Sequence, residues 1–169
     1  MQKRWMGSAL CAVAALVAIS GTAAWGQLGG KKKGDQRVEA LLKTAELKYE
    51  VDKDGDFKLI YTLNENRTQI AWILSKTNKL GDLEIREIWS LAILSESQIE
   101  GDTAVKLLEL NSRYKLGSWQ IRKMGEKYAA VFSAQIAADT DDATLKTTLQ
   151  AVTSTADEVE KELATEDKF

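Results

Sequence analysis

The 169-residue chain has no histidine, no proline and one cysteine. Without histidine, neither a Ser-His-Asp nor a Cys-His nucleophile system can be built, and no zinc or iron site can draw on imidazole. A single cysteine cannot close an internal disulfide or complete a four-cysteine metal site. An excess of one charge is lacking too. With 23 basic and 25 acidic residues the net charge is −2 and the pI about 5.4, far from the basic footprint that nucleic-acid binding needs. What is present is ordinary for a folded domain: 44% hydrophobic and 28% charged residues argue against wholesale disorder, and the length fits one domain, two at most.

The first residues stand apart from the rest. Lys3 and Arg4 form a basic start, residues 9–19 are uncharged and rich in Ala, Leu and Val, and small residues follow up to Gly26. That order reads as a secretory signal peptide over residues 1–26, with cleavage after Gly26 or after Ala24. The apolar run falls short of the roughly 20 residues that span a bilayer comfortably, although an uncleaved membrane anchor is the alternative reading. Cys11 sits near the start of the run, whereas a lipoprotein acceptor cysteine closes it, so lipidation is discounted. Removing residues 1–26 takes away two basic residues and no acids, so the net charge moves from −2 to −4, and the only cysteine leaves with them. The mature chain is expected to be exported, periplasmic or extracellular, with no membrane segment, no thiol chemistry and no cofactor.

Residues 27–35, rich in Gly and Lys, read as a flexible leader, and Lys31, Lys32 and Lys33 as a solvated tether. Asp35 can cap a helix over residues 36–50, whose apolar stripe is Val38, Leu41, Leu42, Ala45 and Tyr49. The period then drops from 3.6 to 2. Three alternating segments at residues 57–63, 68–74 and 83–91 are separated by turns at 64–66 and 78–81, and predict an antiparallel meander. The middle strand is apolar on both faces, which leaves one face for helices and the other for a second surface. A helix beginning near Asp102 or Thr103 is closed by Gly117 as its C-cap. Strands at Trp119 and Ile121 and at residues 128–136 flank a tight turn over 124–126. Asp139, Asp141 and Asp142 open a last helix with Leu145, Leu149, Val152, Ala156, Val159 and Leu163 on its stripe. The predicted fold is α+β, in the order α-β-β-β-α-β-β-α, with a five-stranded antiparallel sheet and helices packed against it. The domain spans residues 36–165, and residues 166–169 fray.

The motifs that suggest chemistry are weak. Asp52, Asp54, Gly55 and Asp56 resemble the start of a calcium loop, but no register satisfies the pattern. With Asp52 first, position 6 is Phe57; with Gly55 sixth, position 12 is Tyr61. A helix-to-strand turn, with Gly55 at positive φ, accounts for the segment. Glu84 and Glu87 are three apart on a strand and face opposite sides, so they cannot act as a carboxylate pair, and Glu87 reads as a cross-strand partner of Arg86 or Lys58. Ser112 and Lys115 match Ser-x-x-Lys without its companion motifs, and no Gly-rich phosphate loop or Gly-x-Ser-x-Gly elbow occurs. The expectation is a non-enzyme with no catalytic, cofactor or metal residues. Trp72, Trp89 and Trp119 remain. They read either as core aromatics or as a candidate partner-binding surface, since Trp dominates interface hot spots.

Three strings, Tyr49-Glu-Val-Asp-Lys-Asp-Gly-Asp-Phe57, Glu84-Ile-Arg-Glu-Ile-Trp-Ser90 and Leu107-Leu-Glu-Leu-Asn-Ser-Arg-Tyr-Lys-Leu-Gly-Ser-Trp119, resemble the YbjN-like family, which is similar in fold to class I type III secretion chaperones. The resemblance covers residues 36–165. It implies a compact α+β domain, often a homodimer, that binds protein or peptide segments by strand addition and apolar pockets and has no catalytic residues to carry over. Those chaperones act in the cytosol, whereas this chain begins with an export signal. The function expected from the sequence is therefore an exported, chaperone-like protein-binding domain. The alternative is a small periplasmic ligand- or ion-binding module, with calcium at residues 52–56 as its simplest form.

Overall fold

The computed structural model describes residues 32–64, 67–99 and 101–163. The expected signal peptide, residues 27–31 of the leader, and the domain end and tail after residue 163 lie outside them. Residues 32–35, which composition assigns to a free leader, are tied down instead. The Lys32 N–H donates to the Lys53 carbonyl at 3.4 Å. Gly34 lies so close to Phe57 that a Cβ would come within 2.5 Å of its ring.

Helix α1, Gln36–Thr44, starts at Asp35, whose carboxylate accepts the Arg37 N–H. It ends six residues before the apolar spacing predicts. Glu46 turns to φ 55°, the Glu46 N–H donates to the Lys43 carbonyl, and the Leu47 N–H donates to the Leu42 carbonyl. This is the paired closure of a Schellman cap. Freed from the helix, Glu50–Val51 becomes strand β1 and pairs with Lys58 and Phe57, and Tyr49 packs edge-on against Phe57 at 5.4 Å. The sheet therefore has six strands rather than five, and the order is α-β-β-β-β-α-β-β-α. A two-residue strand is too short to leave a period in the sequence.

The remaining elements are β2 (Phe57–Thr62), β3 (Thr68–Leu80), β4 (Leu83–Ser95), α2 (Gly101–Leu110), a 3₁₀ turn (Asn111–Arg113), β5 (Ser118–Met124), β6 (Lys127–Ala137) and α3 (Asp142–Leu163). All neighbouring strands are antiparallel, in the spatial order β1-β2-β3-β4-β6-β5. β3 and β4 run to 13 residues each, longer than their alternation indicates, because an irregularity between Ile73 and Thr77 lets pairing resume and continue to the Leu80–Leu83 hairpin end. Gly117 does not cap α2, which ends at Leu110 and runs into the 3₁₀ turn; it sits at φ +82° just before β5, where a Cβ would come within 2.8 Å of Phe132 and of the Ser133 carbonyl oxygen.

Among the described residues, all three helices lie on one face, here the inner face. Leu145, Leu149, Val152, Ala156 and Val159 of α3 pack on Ile73, Ile88, Ala92, Phe132 and Ala134, with Val38 and Leu42 of α1 and Leu107 of α2 in the same core. Asp141 caps α3 by accepting the Thr144 N–H at 2.7 Å, which lowers its pKa. No helix of the described residues is long and apolar enough to cross a membrane.

Candidate functional site

Strand alternation sends a second set of side chains to the opposite, outer face. Trp72 of β3 and Trp89 of β4 are direct cross-strand partners, and their rings stack at 4.2 Å and 9°. Such a pair contributes about 0.5–1.5 kcal/mol beyond the area it buries. Leu91, Ala129 and Val131 complete a small apolar cluster with Trp89, and Trp72 and Leu74 lie half-buried beside it. The register carries this seam outward to Ile60 of β2, 61% exposed, and to Leu94 of β4. Among the described residues no helix covers the seam.

A polar group borders it. The guanidinium of Arg122 on β5 lies 5.9 Å from the Trp89 ring centroid and donates to Glu87 and Gln120, and the Ser133 hydroxyl also donates to Glu87. Glu87 thus pairs with Arg122, not with Arg86 or Lys58. Arg122 comes from a strand two places away in the sheet, so local spacing gives no sign of it. Glu84 and Glu87 do face opposite sides, Glu84 reaching Arg37 and Thr77 on the inner side.

Trp119 does not join the other two tryptophans. It pairs with Phe132, so it belongs to the inner row, where its ring meets Phe132 edge-on at 5.3 Å. It is 6% exposed, and its indole N–H is buried without an acceptor. The turn over 124–126 holds the signal for this placement. Counting back from Met124 opposite Lys127 sets Trp119 against Phe132.

A third group escapes sequence reading altogether. The irregularity in β3 leaves the Leu74 and Ser75 carbonyls turned toward Arg86, which is only 2% exposed. Arg86 donates to both carbonyls and, at 2.6 Å, to Asp35. Arg37 bridges Asp35 and Glu84, the Ser75 hydroxyl donates to the Gly55 carbonyl, and Asp56 accepts the Ser75 N–H. This knot fastens the start of α1 and the turn at 52–56 to the β3–β4 hairpin. Burial pushes the Asp35 carboxyl up, but hydrogen bonds from Arg37 and Arg86 outweigh it and hold the group well below the usual carboxylate range. The Arg37 hydrogen bond brings Glu84 down to about 2. Burial raises Asp56.

The 52–56 segment is a turn. Asp52 accepts the N–H groups of Asp54 and Asp56 at 2.8 and 3.0 Å, and Gly55 takes φ +88°. The described residues hold no cluster of three or more potential metal-ligating His, Cys, Asp or Glu side chains. The grooves lined by Glu50, by Glu46 and by Asp139 each hold a single carboxylate. No protein-family model matches the chain, and no curated protein matches it.

Proposed function

We propose that the chain is an exported, non-enzymatic protein-binding domain, chaperone-like in use, whose outer sheet face receives an apolar polypeptide surface, a second copy of itself included. The observation that carries this is an outer sheet face with no helix over it among the described residues, where the half-buried Trp72, stacked on the buried Trp89, is flanked by exposed Ile60 and Leu94. Aromatic side chains with a polar border are the composition of interface centres, and Ile60 and Leu94 add exposed apolar surface beside them. The order of residues 1–26 supports export, and the resemblance to the YbjN-like family and to type III secretion chaperones supports binding without catalysis and a dimeric state.

The test uses the exported protein, its mass followed by light scattering, and a permanently unfolded, reduced and carboxymethylated protein as the binding probe. Ile60→Asp and Leu94→Asp place a charge at exposed ends of the seam without disturbing the core. Each is expected to weaken self-association or probe binding by about tenfold. A protein that stays monomeric at high concentration and binds no unfolded chain overturns the proposal.

A further inference from the structure

Val131 and Ala129 of β6 are fully buried on the outer face, although no helix of the described residues lies over them. The strands on either side supply the cover. Arg122 on β5 pairs with Ala129, and Glu87 on β4 pairs with Gln135, so the two sit toward opposite ends of this stretch of β6. Their side chains meet all the same. The guanidinium donates to one Glu87 carboxylate oxygen, and that oxygen also accepts from the hydroxyl of Ser133, which lies between. To reach it the Arg122 stem runs across Val131. Gln120, the β5 partner of Val131, accepts from the guanidinium on the way, and the head ends 5.9 Å from the Trp89 ring centroid.

Arginine covers apolar surface with its methylene stem in this way while its head stays polar. Arg122 is held far less firmly than Arg86. Arg86 is almost wholly buried and fixed by two backbone carbonyls as well as by Asp35. The acceptors of Arg122 among the described residues are side chains, and its own side chain and that of Glu87 keep 26% and 19% of their exposure. Among the described residues β5 ends the sheet, so Arg122 has open water to swing into. Glu87 retains the Ser133 hydroxyl when Arg122 leaves. Opening therefore leaves no charge buried without a partner, the condition that makes it reversible.

We propose that Arg122 is a strap that closes the outer face, and that ionic strength sets how often it opens. Closed, the face offers a partner little beyond Ile60, Leu94 and one side of Trp72. Open, it adds Val131, Ala129 and Leu91 beside the stacked tryptophans and becomes one continuous apolar patch. Salt screens a partly exposed ion pair but does not weaken apolar burial, so salt opens the strap and strengthens docking. That is the reverse of binding steered by charge, which salt weakens. The control of docking rests on the reading of the outer face as a protein-binding surface, whereas the closure itself does not.

The test follows Nile red, an uncharged dye that brightens on apolar surface, with the exported protein and its Glu87→Gln and Arg122→Gln variants. The two substitutions remove opposite charges, so an effect they share does not come from net charge. Between about 20 and about 500 mM sodium chloride the dye signal of the parent is expected to rise about threefold. Both variants are expected to start near the upper level at low salt and to stay there. At low salt they should also bind the unfolded, carboxymethylated probe about threefold more tightly than the parent. Circular dichroism checks that each variant is folded, and if one is not, the other decides. A parent signal that does not rise with salt, or folded variants as dark as the parent at low salt, overturn the strap whether or not the probe binds. The expected dye signals with no probe bound at either salt leave the strap standing and overturn the reading of the face as a docking surface.

Discussion

Glu46 holds φ 55° at the end of α1, where glycine is the usual residue because it has no Cβ to strain. The cap forms all the same, since the alternative is to leave the Lys43 and Leu42 carbonyls unpaired. Glu46→Gly is therefore expected to stabilise the protein by about 0.5–1 kcal/mol, less than the full strain because glycine also loosens the unfolded chain. The check is a higher urea midpoint at an unchanged slope. Several single residues were legible in the sequence because their role is local: Asp35 and Asp141 as caps, and Gly55 at positive φ. Glu46 was not, because a Glu gives no sign of a left-handed backbone. The end of α1 was misread with it. Of the three candidate tryptophans, Trp72 and Trp89 meet on one face, while Trp119 lies across the sheet. Composition treats the three alike, and only the strand register separates them.

At the scale of elements, helices and strands were readable wherever a period ran for several residues, and the two faces of the sheet followed from alternation. The knot around Arg86 was not readable, because it depends on an irregular stretch of β3 that breaks the alternation and brings Asp35 beside residues 40 and 51 positions away. Its pH behaviour follows from the signs of the shifts. Asp35 and Glu84 have folded-state pKa values below the unfolded carboxylate value of about 4. The stability they contribute is full above that value and is lost as pH falls toward 2. Asp56 has the opposite sign, since its raised pKa favours the folded state at low pH and offsets part of the loss. Asp35→Asn leaves Arg86 buried with its charge uncompensated. It is expected to cost about 2 kcal/mol at pH 7, and the gap to the parent should narrow steadily as urea midpoints are taken at pH 4, 3 and 2.5. A gap that stays constant over that range would show that the charge of Asp35 does not matter.

For the whole molecule, the core is threaded by a buried polar chain. Glu160 of α3 accepts from Gln69 at 2.8 Å, Gln69 in turn accepts from Ser90 at 2.8 Å, and Arg67 reaches both Asp157 and Glu160. Those partners come from β3 and the residue before it, β4 and α3, so the polar chain sets the register of α3 on the middle of the sheet. Non-local pairing dominates the architecture, with Ile85 of β4 beside Ala137 of β6. Folding is accordingly expected in milliseconds to seconds. With no proline in the chain, refolding should show no phase of tens of seconds of the kind that proline isomerisation produces. Stopped-flow refolding after long and short unfolding delays should give the same single phase. A slow phase that grows with the delay would contradict this.

The position of α3 has a consequence for biosynthesis. It is the last described element of the chain, yet it covers the centre of the sheet, over β3, β4 and β6. Until residues 142–163 have been made, Ile73, Ile88, Phe132 and Ala134 lack the helix that completes the core over them. A ribosome-bound chain can form hairpins but cannot close its core. If the chain leaves the cell through a channel that admits only unfolded polypeptide, the order of its elements keeps it in a threadable state until residues 142–163 have been made, and α3 acts as the latch.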